Sequence, residues 1–414
     1  MVSAVSYPKD FWLLWSSSIV SGIGDGVRVV ALPLLATTVT RDPLLIALVT
    51  VAGTLPWVLV GPFTGALTDR LDRRRLLWRV SVFQAVLMAA FTLLIGADAT
   101  PVAVLAATTF LMTSAETLAM NASAALVPEL VAKDRLAPAN SLLQGGHFVT
   151  SDLAGMAVGA VLFGLGPVLP FTVDTVSFAL AAVLLLGIRP PTSGGAPAGR
   201  VTVRSLLRDI RAGMRWLLAH RLLRTLCVLF ALSNFAVTGV LGIAVLYALE
   251  VLGVSQTGYG LLMVVVAVGG VGGLVVAPLL TSRLGLGRTI QVSLALAPVP
   301  FLVAGLTSAP LVAAGSLLLV GAGVSIGNVA SMSIRQLLVP TELFGRVNSS
   351  YRLVAQGLSP LGGVFAGLLA AWYGLHAPFL FGAALFTGIV IFGAPRVSDT
   401  AVRAAESAVQ EEGR

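Results

Sequence analysis

Runs of about 20 apolar residues recur from one end of this chain to the other, parted by short breaks rich in Gly, Pro and Arg. A helix of that length crosses roughly 30 Å of hydrocarbon, and it satisfies its own backbone groups where no water can. Composition leaves little room for another reading. Only 11% of the 414 residues are charged and 57% are hydrophobic, whereas a soluble domain carries roughly 25% charged residues. The chain therefore reads as an all-α membrane protein. Its single cysteine, Cys227, lies inside an apolar run, so no disulfide can form within one chain. The opening MVSAVSYPKD is short and polar and the run after it exceeds a signal-peptide core, so the first helix is expected to stay in the membrane. Lysine occurs only at Lys9 and Lys133 while Arg, Ala, Gly, Val and Leu abound, a bias that suggests a bacterial host.

Apolar runs set against charge and Gly/Pro breaks give twelve spans, at 11–39, 43–66, 76–96, 100–126, 141–165, 168–189, 222–249, 256–281, 288–307, 309–334, 346–373 and 376–394. Basic residues fall on one side. The connections after even-numbered spans hold Arg70, Arg73, Arg74, Arg75, Arg79, Lys133, Arg135, Arg189 to Arg224, Arg283, Arg288, Arg335, Arg346 and Arg352, whereas the odd-numbered ones hold Arg41 alone. Basic loops stay cytoplasmic, so both termini are expected in the cytoplasm of a bacterial inner membrane. The chain divides accordingly into residues 1–189 as a first six-helix bundle, 190–221 as a cytoplasmic linker, 222–394 as a second bundle and 395–414 as a tail. Within the linker, Arg204, Arg208, Arg211 and Arg215 recur at helical spacing, and Val203, Leu207, Ile210, Met214 and Leu217 form another face. That pattern fits an amphipathic helix on the inner leaflet. It also argues against a nucleic-acid partner, despite the net charge of +8.

The two bundles resemble each other. Pro128-Glu129-Leu130-Val131-Ala132-Lys133-Asp134-Arg135 leads through Ala139-Asn140-Ser141 into the fifth span, and Pro340-Thr341-Glu342-Leu343-Phe344-Gly345-Arg346-Val347-Asn348-Ser349 leads into the eleventh. Duplicated six-helix halves are the architecture of alternating-access carriers, with a site near the midplane.

Between the second and third spans runs Gly65-Ala66-Leu67-Thr68-Asp69-Arg70-Leu71-Asp72-Arg73-Arg74-Arg75. Gly65 allows a helix to end against a neighbour, and Asp69 can accept from backbone N–H groups at the start of an opposing helix, where negative charge is favoured. This stretch resembles the signature loop of the major facilitator superfamily, G-x-L-x-D-R-x-G-R-R/K-R/K, with Asp72 where the general pattern has Gly. That departure is similar to the branch of bacterial siderophore and drug exporters, the enterobactin-exporter-like group. Phe171-Thr172-Val173-Asp174-Thr175-Val176-Ser177-Phe178, opening the sixth span, and the two loops quoted above resemble the same branch. The resemblance covers almost the whole chain apart from the termini and part of the linker. It implies twelve transmembrane helices in two pseudo-symmetric bundles. It also implies a gating motif of Gly65, Asp69, Arg70, Arg73 and Arg74, in which Asp69 docks near Arg346 and Arg352 and locks the outward-facing state. Arg73, Arg74 and Arg75 serve equally well as topogenic charge alone. The matching loop of the second half, Thr281-Ser282-Arg283-Leu284-Gly285-Leu286-Gly287-Arg288, lacks the acid.

An ionisable group near the bilayer centre costs at least roughly 2.5–3.5 kcal/mol, so it faces a cavity or a partner. The first half places Asp25 and Arg28, Glu116 and Asp152 at similar depths in its first, fourth and fifth spans. Asp25 and Arg28, at i and i+3, share a helix face, and Gly22, Gly24 and Gly26 permit close approach. Two readings stand. The pair is a static salt bridge, or Arg28 is shared with Glu116 and one acid alternates between protonated and ionised forms. Burial penalises the charged form and a nearby cation favours it, so movement of Arg28 would switch proton affinity. Proton-coupled exporters of the superfamily often carry an Arg in the fourth helix, where this chain has Glu116. The antiporter-like Gly-Pro pattern of the fifth helix is only partial. Asp174 is expected as a helix-start or packing acid on the outer side.

The second half shows no central charge. Trp57, Asn234, Phe235, Asn328 and Gln356 are the candidate cavity residues, with aromatic core packing the alternative for the rings. A wall of acids facing an apolar wall dotted with amides suits a bulky amphiphile. There is no H-E-x-x-H and no nucleotide loop, and His147, His220 and His376 are isolated in sequence. The expectation is thus no enzyme, no cofactor and no metal. It is instead a monomeric secondary transporter whose partners are lipid bilayer, protons and a small amphiphilic substrate such as a drug, siderophore or secondary metabolite, exported by antiport. An importer or uncoupled facilitator of the same fold, or a non-transporting sensor or scaffold, is the alternative.

Overall fold

The structure, a computed structural model, describes residues 7–68, 71–189 and 203–412. Every regular element among them is helical. Eleven helices are long and apolar enough to cross a membrane: α1 (Lys9–Val39), α4 (Arg73–Gly96), α5 (Val102–Leu130), α6 (Leu136–Leu165), α7 (Leu169–Leu186), α9 (Arg221–Val251), α10 (Gln256–Leu284), α11 (Leu286–Leu306), α12 (Pro310–Leu338), α13 (Glu342–Tyr373) and α14 (Ala377–Arg396). The span expected at 43–66 is instead two pieces, α2 (Pro43–Leu59) and α3 (Gly61–Thr68). Pro62 has no N–H to offer the Val58 carbonyl, so the ladder breaks at Val60. The linker helix α8 (Val203–Ala219) and the tail helix α15 (Asp399–Glu412) complete the set.

The chain divides into two compact units, one of Met1–Thr40, Ala52–Val201 and Gln256–Leu261, the other of Arg41–Val51, Thr202–Ser255 and Leu262–Arg414. In the first unit α1 packs between α6 and α7. The α1–α6 crossing is a backbone contact. A methyl at Gly26 would overlap the Ser151 carbonyl oxygen, one at Gly155 would come within 2.8 Å of the Gly26 Cα, and one at Gly159 within 2.6 Å of the Val27 oxygen. Small residues let helices approach in this way where no water-driven force presses them together. At that crossing, α6 carries a π-helical turn, Val149–Gly155, which supplies Ser151 and Gly155 to the contact. At the end of the bundle that holds the helix-joining arginines, Phe11, Leu14, Leu77, Leu126, Leu143 and Leu185 share one apolar core.

The second unit repeats the crossing with α9 and α13: a methyl at Gly239 would meet the Gly362 carbonyl oxygen at 2.9 Å, and one at Gly362 would overlap the Phe235 oxygen. The linker helix differs from the lipid-facing expectation. Its apolar face lies partly on α13, with Leu217 buried, Gly213 against the Arg346 backbone, and the Ser350 hydroxyl donating to the Ile210 carbonyl at 3.1 Å. Asp209 and Arg346 close the same contact with an ion pair at 3.0 Å. Arg208, Arg211 and Arg215 remain exposed.

Candidate functional site

In the first unit, one guanidinium collects three carboxyl groups from three helices. Asp25 and Arg28 stand one turn apart on α1, and Arg28 Nη2 donates to Asp25 Oδ1 at 2.6 Å. The same nitrogen lies 3.5 Å from Glu116 Oε2 of α5, and Arg28 Nε lies 3.2 Å from Asp174 Oδ2 of α7. Exposure of the side chains is graded: 0% for Asp174, 6% for Arg28, 9% for Asp25 and 34% for Glu116. Asp174 is thus the dry end of the cluster and Glu116 the wet one. The Asp174 oxygens and Arg28 Nε make an ion pair without an aligned hydrogen bond. Gly24 is what admits Asp174, since a methyl there would overlap Asp174 Oδ1 and Ser177 Oγ.

The charges do not balance one for one. A buried charge is tolerated only when paired, and Arg28 can neutralise a single carboxylate. The carboxyls thus outnumber the cation, and the one that reaches water is Glu116.

Asp25, Arg28 and Glu116, read from sequence as neighbours, are neighbours in the structure. Asp152 is not among them. It lies half-buried on the π-helical turn of α6, outside ion-pair range of Arg28, and the side chain it interacts with is His147, which also interacts with Glu116. A π-turn carries an extra residue and so rotates the rest of the helix by about 100°, which helical counting through Val149 does not anticipate. Asp174, expected as a helix-start or packing acid, is packed against α1 and is the most buried of the four. Its helix has 18 residues against 31 for α1, so equal counts from each end do not mean equal depth. The Asp-x-x-Ser pattern facing a glycine-rich α1 was the signal available.

Of the gating-motif residues, Asp69 and Arg70 lie outside the described residues, and Gly65 falls in α3. Asp72 caps α4, accepting from the Arg75 backbone N–H at 3.0 Å. Arg73 pairs with Glu129 and donates to the Ala125 carbonyl at 3.1 Å, tying α4 to the end of α5, and Arg74 donates to the Leu186 carbonyl at 2.7 Å.

The second unit holds an apolar cavity of about 240 Å³ whose lining includes Leu241, Val266, Phe301, Ser325 and Phe379. A smaller one of about 40 Å³ shares Val237, Val320 and Val324 with it and is lined also by Asn234 and Asn328. The Asn234 amide donates to the Ala355 carbonyl at 2.8 Å. Phe235 instead joins a ring cluster with Phe365 and Phe381, at centroid distances of 5.6 and 6.4 Å. Gln356 on α13 lines neither cavity, and Trp57 lies half-buried on α2 in the first unit. His220 caps α9 and His376 bonds the Gly305 carbonyl at 2.8 Å. Among the described residues no group of three or more His, Cys, Asp and Glu is arranged to hold a metal ion.

Residues 7–411 match the model of a family described as transmembrane secretion effector. The chain is 27% identical, over 414 residues, to the multidrug efflux pump Tap of Mycolicibacterium fortuitum, an alignment covering 94% of this chain and 96% of that one. An uncharacterized MFS-type transporter of Mycobacterium tuberculosis is 31% identical over 147 residues, 35% of this chain and 33% of its own. Among solved structures, a mutant of the nucleoside transporter NupG matches with a TM-score of 0.75 at 13% identity, covering 96% of this chain and 99% of that one. A bacterial homologue of the iron transporter ferroportin, in its inward-facing state, matches with a TM-score of 0.72 at 19% identity, covering 91% and 98%. At such identities the structural likeness speaks for the fold alone.

Proposed function

This chain belongs to the transmembrane secretion effector family of the major facilitator superfamily, and we propose that it exports small amphiphilic compounds in exchange for protons. The observation that carries the proposal is the sharing of Arg28 among three carboxyls of graded exposure. Glu116, in contact with water, takes up a proton and releases its hold on the guanidinium, which then settles on Asp25 and Asp174. Loss of that proton draws Arg28 back. The two charge arrangements favour two conformations of the first unit, which is the differential interaction a coupled carrier needs. Transport proceeds by alternating access at a bacterial inner membrane, with both termini cytoplasmic as the basic loops direct.

An amphiphilic substrate is supported by the apolar cavities of the second unit with Asn234 and Asn328 at one end. Export of drugs is supported by the efflux-pump relative, which aligns over nearly the full length of both chains; siderophores and secondary metabolites share the same chemistry. Asp69 and Arg70 serve as the gate, and Asp152 with His147 relays protons toward Glu116.

Everted vesicles with an acidified lumen test the coupling. Addition of a transported amphiphile should release lumenal protons in the wild type. Asp25→Asn and Glu116→Gln should abolish that release while still binding the compound. Proton release that persists in both variants would remove the cluster from the coupling step. Vesicles energised with sodium alone separate the two coupling ions, and substrate flux without either gradient would identify a facilitator.

A further inference from the structure

On the second unit a groove of about 490 Å³ runs between the start of α9 and the end of α14. Its wall is apolar, formed by residues such as Val228 and Leu232 of α9 with Phe392 of α14, and Gly388 leaves its floor open: a methyl added there would meet nothing within 4 Å. At one end stand two arginines, Arg224 and Arg396, one from the first turn of α9 and one from the last turn of α14. Both are exposed, and no acid lines the groove. The nearest acid in sequence, Asp399, is already engaged by the backbone N–H groups of Gly287 and Arg288, at 2.8 and 3.3 Å, and by the Arg288 side chain at 3.6 Å. Arg224 is held in place by its bond to the Leu218 carbonyl at 3.2 Å.

The position of the charges decides what the groove fits. Arg224 and Arg396 mark the ends of two membrane-crossing helices, which is headgroup depth. From Arg224 to Leu232 the helix rises about 12 Å, enough to seat the upper half of an acyl chain. Arginine binds phosphate oxygens through paired N–H donors, and cationic side chains at this depth favour anionic lipid. We propose that the groove is a binding site for one anionic phospholipid, its phosphate between Arg224 and Arg396 and an acyl chain laid along Val228, Leu232 and Phe392. The site stands apart from the coupling cluster and does not depend on the transport reading.

The full-length protein, purified in detergent and stripped of lipid, tests this. Phosphatidylglycerol should raise the unfolding temperature more than phosphatidylcholine of the same acyl chains, and inorganic phosphate alone should not reproduce the rise. Arg224→Gln with Arg396→Gln should weaken the phosphatidylglycerol response about tenfold or more in concentration. Gly388→Leu, which fills the groove and keeps both arginines, should remove it as well. Native mass spectrometry, which counts lipids retained on folded protein only, should find one phosphatidylglycerol fewer on each variant even where its stability has changed. Equal responses to the two lipids, a full response from inorganic phosphate, or unchanged lipid retention in the variants would each overturn the site.

Discussion

Gly26 on α1 and Gly239 on α9 perform the same mechanical task, each bringing a membrane-crossing helix of its unit against another at backbone contact. Their flanking residues differ. Beside Gly26 stand Asp25 and Arg28; at the same offsets from Gly239 stand Thr238 and Leu241. Pro170-Phe171 opens α7 as Pro378-Phe379 opens α14, and counting from those pairs sets Asp174 against Gly382. Counting from Pro101 and Pro310 sets Glu116 against Ser325. Leu241 and Ser325 both line the 240 Å³ cavity, and the Phe301 ring packs on Gly382. One duplicated position therefore holds four ionisable groups in the first unit and an apolar void in the second. The helix crossing is set by glycine, whereas the chemistry is set by whether the three surrounding helices supply partners. A lone acid or base in the second unit would find none.

The largest effect should come from unbalancing the charged position. Arg28→Met leaves two buried carboxyls, Asp25 and Asp174, without a cation, and removal of one partner from a buried pair costs about 3–5 kcal/mol. Thermal unfolding in detergent should show the loss, with Leu241→Arg in the second unit destabilising by a similar amount for the mirror reason. A quadruple variant that gives the first unit the residues of the second, Asp25→Thr with Arg28→Leu, Glu116→Ser and Asp174→Gly, removes every charge together and should recover most of the stability. It should move no protons in everted vesicles. A quadruple variant that still couples would break the comparison.

Next come the crossings. A β-branched side chain at either glycine forces backbones apart, and overpacking costs about 1–3 kcal/mol. Gly26→Val and Gly239→Val should both lower the unfolding temperature, Gly26→Val the more, because its Cβ would overlap the Ser151 carbonyl oxygen, whereas that at Gly239 would meet backbone at 2.9 Å. A large drop at Gly26 with none at Gly239 would show that the two crossings are not equivalent.

Much of this frame is legible in the sequence because its signals are local. Spans follow from run length, and the family follows from the loop between Gly65 and Arg75. Asp25 and Arg28 declare themselves by helical spacing. The hidden features depend on how helices end and turn. The break at Val60 requires Pro62 to be weighed against an otherwise apolar run, Asp152 sits on a π-turn that no residue type announces, and the burial of Asp174 comes from its packing on Gly24 of α1. The resemblance implies that Asp69, which lies outside the described residues, docks near Arg346; the acid beside Arg346 among the described residues is Asp209, a contact that a linker helix read as lipid-facing gives no reason to expect.

A smaller effect on stability, but a selective one on function, is expected from filling the void. Val324 borders both cavities of the second unit, and Val324→Phe adds volume where there is room, so unfolding should shift by less than about 1.5 kcal/mol. Efflux of the bulkiest amphiphiles should fall while that of small ones persists, and proton release evoked by the small ones should be unchanged. Equal loss for all sizes would place the cavity outside the substrate path.

The smallest effects belong to the surface pairs that fasten each unit at its charged end. Arg73 and Glu129 are 30% and 27% exposed, whereas Arg346 and Asp209 are 49% and 44% exposed. Exposed pairs contribute about 0–1 kcal/mol, and water weakens them further as exposure rises. Arg73→Gln should therefore cost near the top of that range, helped by the lost bond to the Ala125 carbonyl, and Arg346→Gln near the bottom. A double-mutant cycle with Glu129→Gln and with Asp209→Asn separates each pair from its surroundings. A larger coupling at Arg346 than at Arg73 would mean that the linker helix is held by its charge, and that the Gly213 and Ser350 contacts beneath it contribute less than their closeness implies.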